Sequence, residues 1–217
     1  MFVGVEMLTV WSVCWGDKYE DYCVQRLQRE VRKHLPLEHE FICITERQIE
    51  GVACIPPIND LPGWWGKVNL FSPDVEREHN LYLDLDVVIT GDLGDLVASH
   101  KGRHLAAPSN WAASGHGGVQ SSVMLWRANH NSRQIYTLFY PAIAHWPPIN
   151  KPGVLWGDQE HITALRDADK VQVSPLNADW IKSYKYHCRN GLPADTRVVV
   201  FHGDPKPSGV REPWFQW

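Results

Sequence analysis

The apolar positions of this chain fall into short runs divided by polar turns, and the runs alternate in kind. Met7-Leu8-Thr9-Val10-Trp11-Ser12-Val13-Cys14 is rich in β-branched and aromatic residues and predicts a buried strand. Tyr19, Cys23, Leu27 and Val31 then recur at four-residue spacing until Pro36, which predicts a helix, with Asp17 and Glu20 in capping-box spacing ahead of it. Glu40-Phe41-Ile42-Cys43-Ile44-Thr45 predicts a second strand and Val52-Ala53-Cys54-Ile55 a short third. Strand, helix and strand of this character predict a right-handed βαβ unit in a mostly parallel sheet with helices on both faces.

Downstream, a turn at Leu61-Pro62-Gly63 precedes a short helix over Trp64-Trp65-Gly66-Lys67-Val68-Asn69-Leu70-Phe71, and the apolar run from Leu81 reads as a strand that passes into a loop at Asp84 and Asp86. A helical stub from Gly91 to Val97, a strand from His104 to Pro108, a Gly-rich loop from Ser109 to Gly118 and a strand from Ser121 to Trp126 follow. A helix from about Ser132 to Tyr140, a Pro-rich loop, a helix opened by Gly157 with Asp158 as its N-cap, and a last strand Val198-Val199-Val200-Phe201-His202 complete the pattern. No repeat and no long linker divides the chain, so residues 1–217 are expected to form a single α/β domain.

One run breaks the rule that strands are apolar. Leu81-Tyr82-Leu83-Asp84-Leu85-Asp86-Val87-Val88-Ile89 carries two carboxylates two residues apart, which alternation points to one face at the carboxyl end of the strand. Adjacent anions repel, and a divalent cation, Mn²⁺ or Mg²⁺, is the natural neutralising partner for hard oxygen ligands. A polar turn after a strand is the plain alternative. His202 also ends an aliphatic strand, and Gly203, Lys206 and two prolines follow it. Backbone that can approach a ligand closely and a cation suited to phosphate then stand beside an imidazole.

Composition narrows the partners. With 21 basic and 25 acidic residues the net charge is −4, which argues against general binding to nucleic acid or anionic lipid. The basic segment from Gln25 to Lys33 has its arginines opposite the apolar stripe and reads as a solvated helix face. The 5 cysteines form no Cys-x-x-Cys pair and read as free thiols, and no apolar run is long enough to span a membrane. A soluble, cytoplasmic protein is expected.

Taken together, Leu81-Tyr82-Leu83-Asp84-Leu85-Asp86, Gln120-Ser121-Ser122-Val123-Met124-Leu125, Gly157-Asp158-Gln159 and Phe201-His202-Gly203-Asp204-Pro205-Lys206-Pro207 resemble, in order, the motifs of the GT-A fold nucleotide-sugar glycosyltransferases. The resemblance is greatest to glycosyltransferase family 8, the glycogenin and lipopolysaccharide-galactosyltransferase group. It implies that Asp84, Asp86 and His202 ligate Mn²⁺ and that Lys206 contacts the diphosphate of a UDP-sugar donor. It also implies that Thr9 and Tyr19 lie near the uracil, that Lys67 contacts the donor, and that Asp158 and Gln159 lie beside the sugar ring. Gln120 and Ser122 depart from the pattern, where relatives have Asn and Gly. The implied activity is metal-dependent, retaining hexosyl transfer to an unknown hydroxyl of a glycan, lipid or protein. Two other readings stay open: a non-catalytic nucleotide-sugar binding protein, and a nucleotidyltransferase, although the segment after the first strand lacks the Gly-rich basic signature of the latter.

Overall fold

A computed structural model describes residues 7–61, 63–102, 104–111, 118–139 and 157–217. Its centre is a seven-stranded sheet in the order β3-β2-β1-β4-β7-β6-β8, formed by β1 (Leu8–Val13), β2 (His39–Ile44), β3 (Ala53–Ile55), β4 (His79–Leu83), β6 (Leu105–Ala107), β7 (Val123–Arg127) and β8 (Val173–Pro175). β3, β2, β1 and β4 run parallel, β7 is antiparallel to both of its neighbours, and β6 and β8 are parallel. The sheet is therefore mostly parallel, as the βαβ pattern predicts. β1 is buried along its whole length because it has a strand on each side and a core on each face.

α1 (Asp21–His34) buries Cys23, Val24, Leu27 and Val31 and places Arg32, Lys33 and His34 in its last turn, where cations favour the helix dipole. The predicted capping box does not form. Glu20 is the N-cap and makes no side-chain cap bond, so the helix starts later than the spacing suggested, and Tyr19 lies in the preceding turn. Gly16 in that turn has φ of 53°, a conformation side chains rarely adopt. The basic face needs a second correction: Arg26 is only 8% exposed, because the second sheet packs beside it.

That second sheet was not anticipated. The run Leu81 to Ile89 is two strands: β4 ends at Leu83, and after Asp84-Leu85-Asp86 the chain enters β5 (Val87–Ile89) in a three-stranded sheet ordered β5-β10-β9. β10 (Val198–Val200) runs antiparallel to β5 and parallel to β9 (Ile181–Ser183), so the exit of β10 meets the entrance of β5. The two acids thus sit on the crossover between sheets.

Gly63–Phe71 forms a 3₁₀ helix, α2 spans Gly94–Ser99, α3 spans His130–Thr137 and α4 spans Asp158–Asp167. α3 opens with a capping box from Asn129 and Ser132. The predicted end of this helix at Tyr140, the Pro-rich loop and most of the Ser109–Gly118 loop lie outside the described residues. The N-cap of α4 is Gly157 rather than Asp158, which is the first helical residue and points its carboxylate elsewhere. The five cysteines are free thiols, and among the described residues no helix is long and apolar enough to cross a membrane.

Candidate nucleotide-sugar site

The carboxyl ends of the parallel strands β1 and β4 face one edge of the molecule. β7, being antiparallel, begins at that edge, and the start of β5, the end of β10 and the amino terminus of α4 converge there too. Together they line a cavity of about 490 Å³. Lys67, Tyr19, Asp84, Asp86, Asp158, Gln159, His202 and Lys206, all singled out in the sequence, border it. Thr9 does not. It lies four residues upstream of Val13, about 13 Å along the strand, and its hydroxyl donates to Glu40 at 2.6 Å. The cavity wall on that side comes from the loop after β1, through Trp15, Lys18 and Tyr19.

Each acid of the Asp-x-Asp triplet is paired with a lysine. Lys67 Nζ lies 2.9 Å from Asp84 Oδ1. Tyr82, two residues back on the same strand face, donates its hydroxyl to the same carboxylate. Burial pushes the Asp84 carboxyl up, but Lys67 with the Tyr82 and Ser122 hydroxyls outweighs it and holds the group below its ordinary value. Asp86 accepts from Lys206 Nζ at 2.6 Å and from the Tyr19 hydroxyl at 2.9 Å. Burial and the Asp86 charge both push Tyr19 up, so it stays a donor.

Lys67 also lies 3.8 Å from Asp158. Burial opposes its charge, but Asp158 and Asp84 outweigh burial and raise its pKa to about 12. Asp158 is 3% exposed, and burial raises its pKa against the pull of Lys67. Its Oδ2 has no hydrogen-bond partner among the described residues and faces the Lys67 ammonium at 3.8 Å. Gln159 accepts weakly from the Ser121 amide at 3.4 Å. The floor is closed by Gln120, whose amide donates to Ser122 Oγ at 2.8 Å and accepts from the Ser122 N–H at 2.8 Å.

His202 Nε2 lies 2.7 Å from Ser183 Oγ, and its ring stacks on Trp111 and Tyr186, each with centroids 5.7 Å away. Burial holds its pKa below the ordinary value, so it is neutral at pH 7 and able to coordinate. Two carboxylates and a neutral imidazole bordering one cavity have the donor chemistry of an Mn²⁺ or Mg²⁺ site. Among the described residues, however, no three His, Cys, Asp or Glu side chains stand close enough together to hold an ion. The lysines occupy the carboxylates instead. The donor types fit a metal, but the three side chains would have to draw together and release both lysines to share one ion.

The sequence reading passed over Lys18. Its ammonium lies 5.3 Å from the Tyr19 ring centroid and 5.4 Å from that of Trp64, and burial, then Lys206, lowers its pKa. Trp64 on the 3₁₀ helix is 52% exposed at the cavity rim. Neither had a sequence signal, since each reaches the cavity only through the packing of two loops.

No protein-family model matches the chain, and no curated protein matches its sequence. Solved structures do. The glycosyltransferase GlyE of Streptococcus pneumoniae TIGR4, in its apo form, superposes with a TM-score of 0.62 at 17% identity over 93% of this chain. A galactosyltransferase LgtC structure in complex with donor and acceptor sugar analogues superposes with a TM-score of 0.61 at 16% identity over 92% of this chain and 88% of its own. The chain spans 56% of the length of the GlyE structure. The fold of this chain is that of the GT-A glycosyltransferases, which the four motifs resemble.

Proposed function

We propose that the chain is a metal-dependent glycosyltransferase that moves a hexose from a UDP-sugar to a hydroxyl acceptor with retention. One observation carries the reading: Asp84, Asp86, His202 and Lys206 border the same cavity as Asp158 and Gln159, at the strand-end edge where α/β folds bind ligands. Asp84, Asp86 and His202 would hold Mn²⁺ or Mg²⁺, which when bound supplies positive charge at the leaving diphosphate. Lys206 would exchange its bond to Asp86 for one to a phosphate oxygen, and Lys18 would flank the same phosphates. Trp15 and Tyr19 would wall the base, in place of Thr9. Asp158, which borders the cavity, would lie beside the sugar ring, and Gln159 would lie near the anomeric carbon. Attack would come from the leaving-group face, the acceptor oxygen bonding the anomeric carbon as the bond to the diphosphate breaks and the departing phosphate takes the acceptor's proton.

A catalytically silent nucleotide-sugar binder is the second reading. It is favoured by Gln120, whose amide is spent on Ser122 rather than left for a sugar hydroxyl. A panel of nucleotide sugars with and without MnCl₂, followed by thermal shift and by release of UDP, tests both. The transferase reading expects Mn²⁺-dependent stabilisation and UDP release with at least one donor. Stabilisation without release for any donor and acceptor selects the binder, and neither effect refutes the nucleotide-sugar site.

A further inference from the structure

Among the basic residues of α1, Arg26 alone is buried, and among the described residues no carboxylate forms an ion pair with it. Its Nη2 donates to the carbonyl of Leu85 at 3.0 Å and to that of Val87 at 2.9 Å. β5 is an edge strand, with β10 on one side only, so the carbonyls on its other side have no strand to bond. Leu85 and Val87, two residues apart, expose theirs on that side, and one guanidinium nitrogen serves both. The intervening carbonyl, of Asp86, faces the opposite way and accepts from the Phe201 amide at 3.4 Å. The backbone around Asp86 is thus held from both sides.

The guanidinium is itself held. The guanidinium carbon lies over the Trp217 ring, 3.9 Å from its centroid, and Trp217 donates its indole N–H to the Tyr22 hydroxyl at 3.0 Å. Tyr22 and Arg26 are one helical turn apart, so one face of α1 carries the whole clasp. Burial lowers the Arg26 pKa to about 10, which leaves it charged at pH 7. A buried cation bonded to carbonyls and a ring, with the Glu30 and Asp86 carboxylates acting only through space, is costly to keep unless its geometry is needed.

We propose that Arg26, held under the Trp217 ring, is a positioning residue that fixes the direction in which Asp86 points into the cavity. The inference rests on the reading of that cavity as a nucleotide-sugar site. Arg26→Met keeps the length and removes the donors; Trp217→Leu removes the stacking ring; Trp217→Phe retains a ring. Hydrogen exchange of peptides covering 84–89 and 198–203 is expected to speed up roughly tenfold in Arg26→Met, about the effect of losing one or two hydrogen bonds, with β1 and β2 peptides unchanged. Trp217→Leu is expected to give a smaller change in the same peptides and Trp217→Phe nearly none. In calorimetry, the gain in UDP affinity on adding MnCl₂ should shrink about tenfold in Arg26→Met, while UDP binding without metal stays as in the parent.

A merely structural arginine would instead lower thermal stability, raise exchange throughout the chain and leave the Mn²⁺-dependent gain intact, and that result overturns the proposal. Unchanged exchange at 84–89 does so as well. Where Arg26→Met fails to fold, Trp217→Leu, which keeps the buried charge, decides on the same readouts. A parent protein that shows no Mn²⁺-dependent UDP binding defeats the glycosyl-transfer reading, while the exchange data still decide whether the clasp holds Asp86.

Discussion

Asp86 and Gln159 separate what binds from what turns over. Asp86→Asn removes a charge from the proposed ion site and the partner of Lys206, so Mn²⁺-dependent UDP binding and turnover should both be lost, as calorimetry and UDP release would record. Among the described residues the Gln159 side chain accepts one weak bond, from the Ser121 amide at 3.4 Å. Gln159→Ala should leave binding near the parent value and lower turnover roughly ten- to a thousandfold, the range for a contact made mainly in the transition state. His161, two residues further along α4, tests electrostatics away from the cavity. It is buried with Nε2 2.9 Å from the Ile135 carbonyl and its ring edge-on to Phe139, and burial holds its pKa below the ordinary 6.5. Below that pH the unfolded chain takes up a proton that the native site resists, so stability is complete above about 6.5 and falls as pH drops toward the folded pKa. His34, His100 and His187 shift the same way, so His161→Phe should flatten only part of the decline in melting temperature between about pH 7 and 5.

At the scale of elements, the capping of α3 and of α4 follows different logic. Asn129 accepts from the amides of Asn131 at 2.6 Å and Ser132 at 3.4 Å, and Ser132 returns a bond to the Asn129 amide. Asn129→Ala should cost about 1 kcal/mol, or roughly 2–4 °C in melting temperature for a chain of this size, with nucleotide binding unchanged. In α4 the residue with capping chemistry, Asp158, does not cap, because its carboxylate turns to Lys67 and the cavity. Local spacing predicted a cap at Asp158 and a box at Asp17 and Glu20, and neither forms. Side-chain capping is decided by what else the side chain can reach. The strands were more legible: β1, β2, β3, β7 and β10 lie within a residue or two of the apolar runs that predicted them. The strand that opens at Leu81 ends at the acids as expected, but the apolar tail Val87–Ile89 starts a strand of a second sheet, since periodicity records burial and not the sheet that provides it.

For the molecule as a whole, ligand linkage is the test that needs no acceptor. UDP and MnCl₂ at about a hundredfold over their joint dissociation constant should add about 2.7 kcal/mol to stability, and UDP alone much less. The melting temperature would rise by roughly 5–10 °C. The reason for synergy lies in the pairing of Asp84 with Lys67 and Asp86 with Lys206: a cation alone must displace ammonium groups, and a diphosphate alone must draw them from carboxylates.

The sequence by itself determined the α/β architecture, the Asp-x-Asp position at a strand end, and the set of His202, Lys206, Asp158 and Gln159 as cavity residues. The architecture, the acids and His202 follow from apolar patterning and from chemistry at the end of an apolar run, both local properties, whereas Asp158 and Gln159 stand out only through the family resemblance and Lys206 through its place in the loop after His202. Only the tertiary structure decided that Thr9 lies too far down β1, that Lys18 and Trp64 reach the cavity, and that a nominally solvated Arg26 is buried beneath Trp217 with its donors on Leu85 and Val87. Those outcomes depend on which strand of which sheet stands beside a helix. Residues 26, 85 and 217 meet only once the chain has crossed from one sheet to the other, and no spacing along the sequence encodes that meeting.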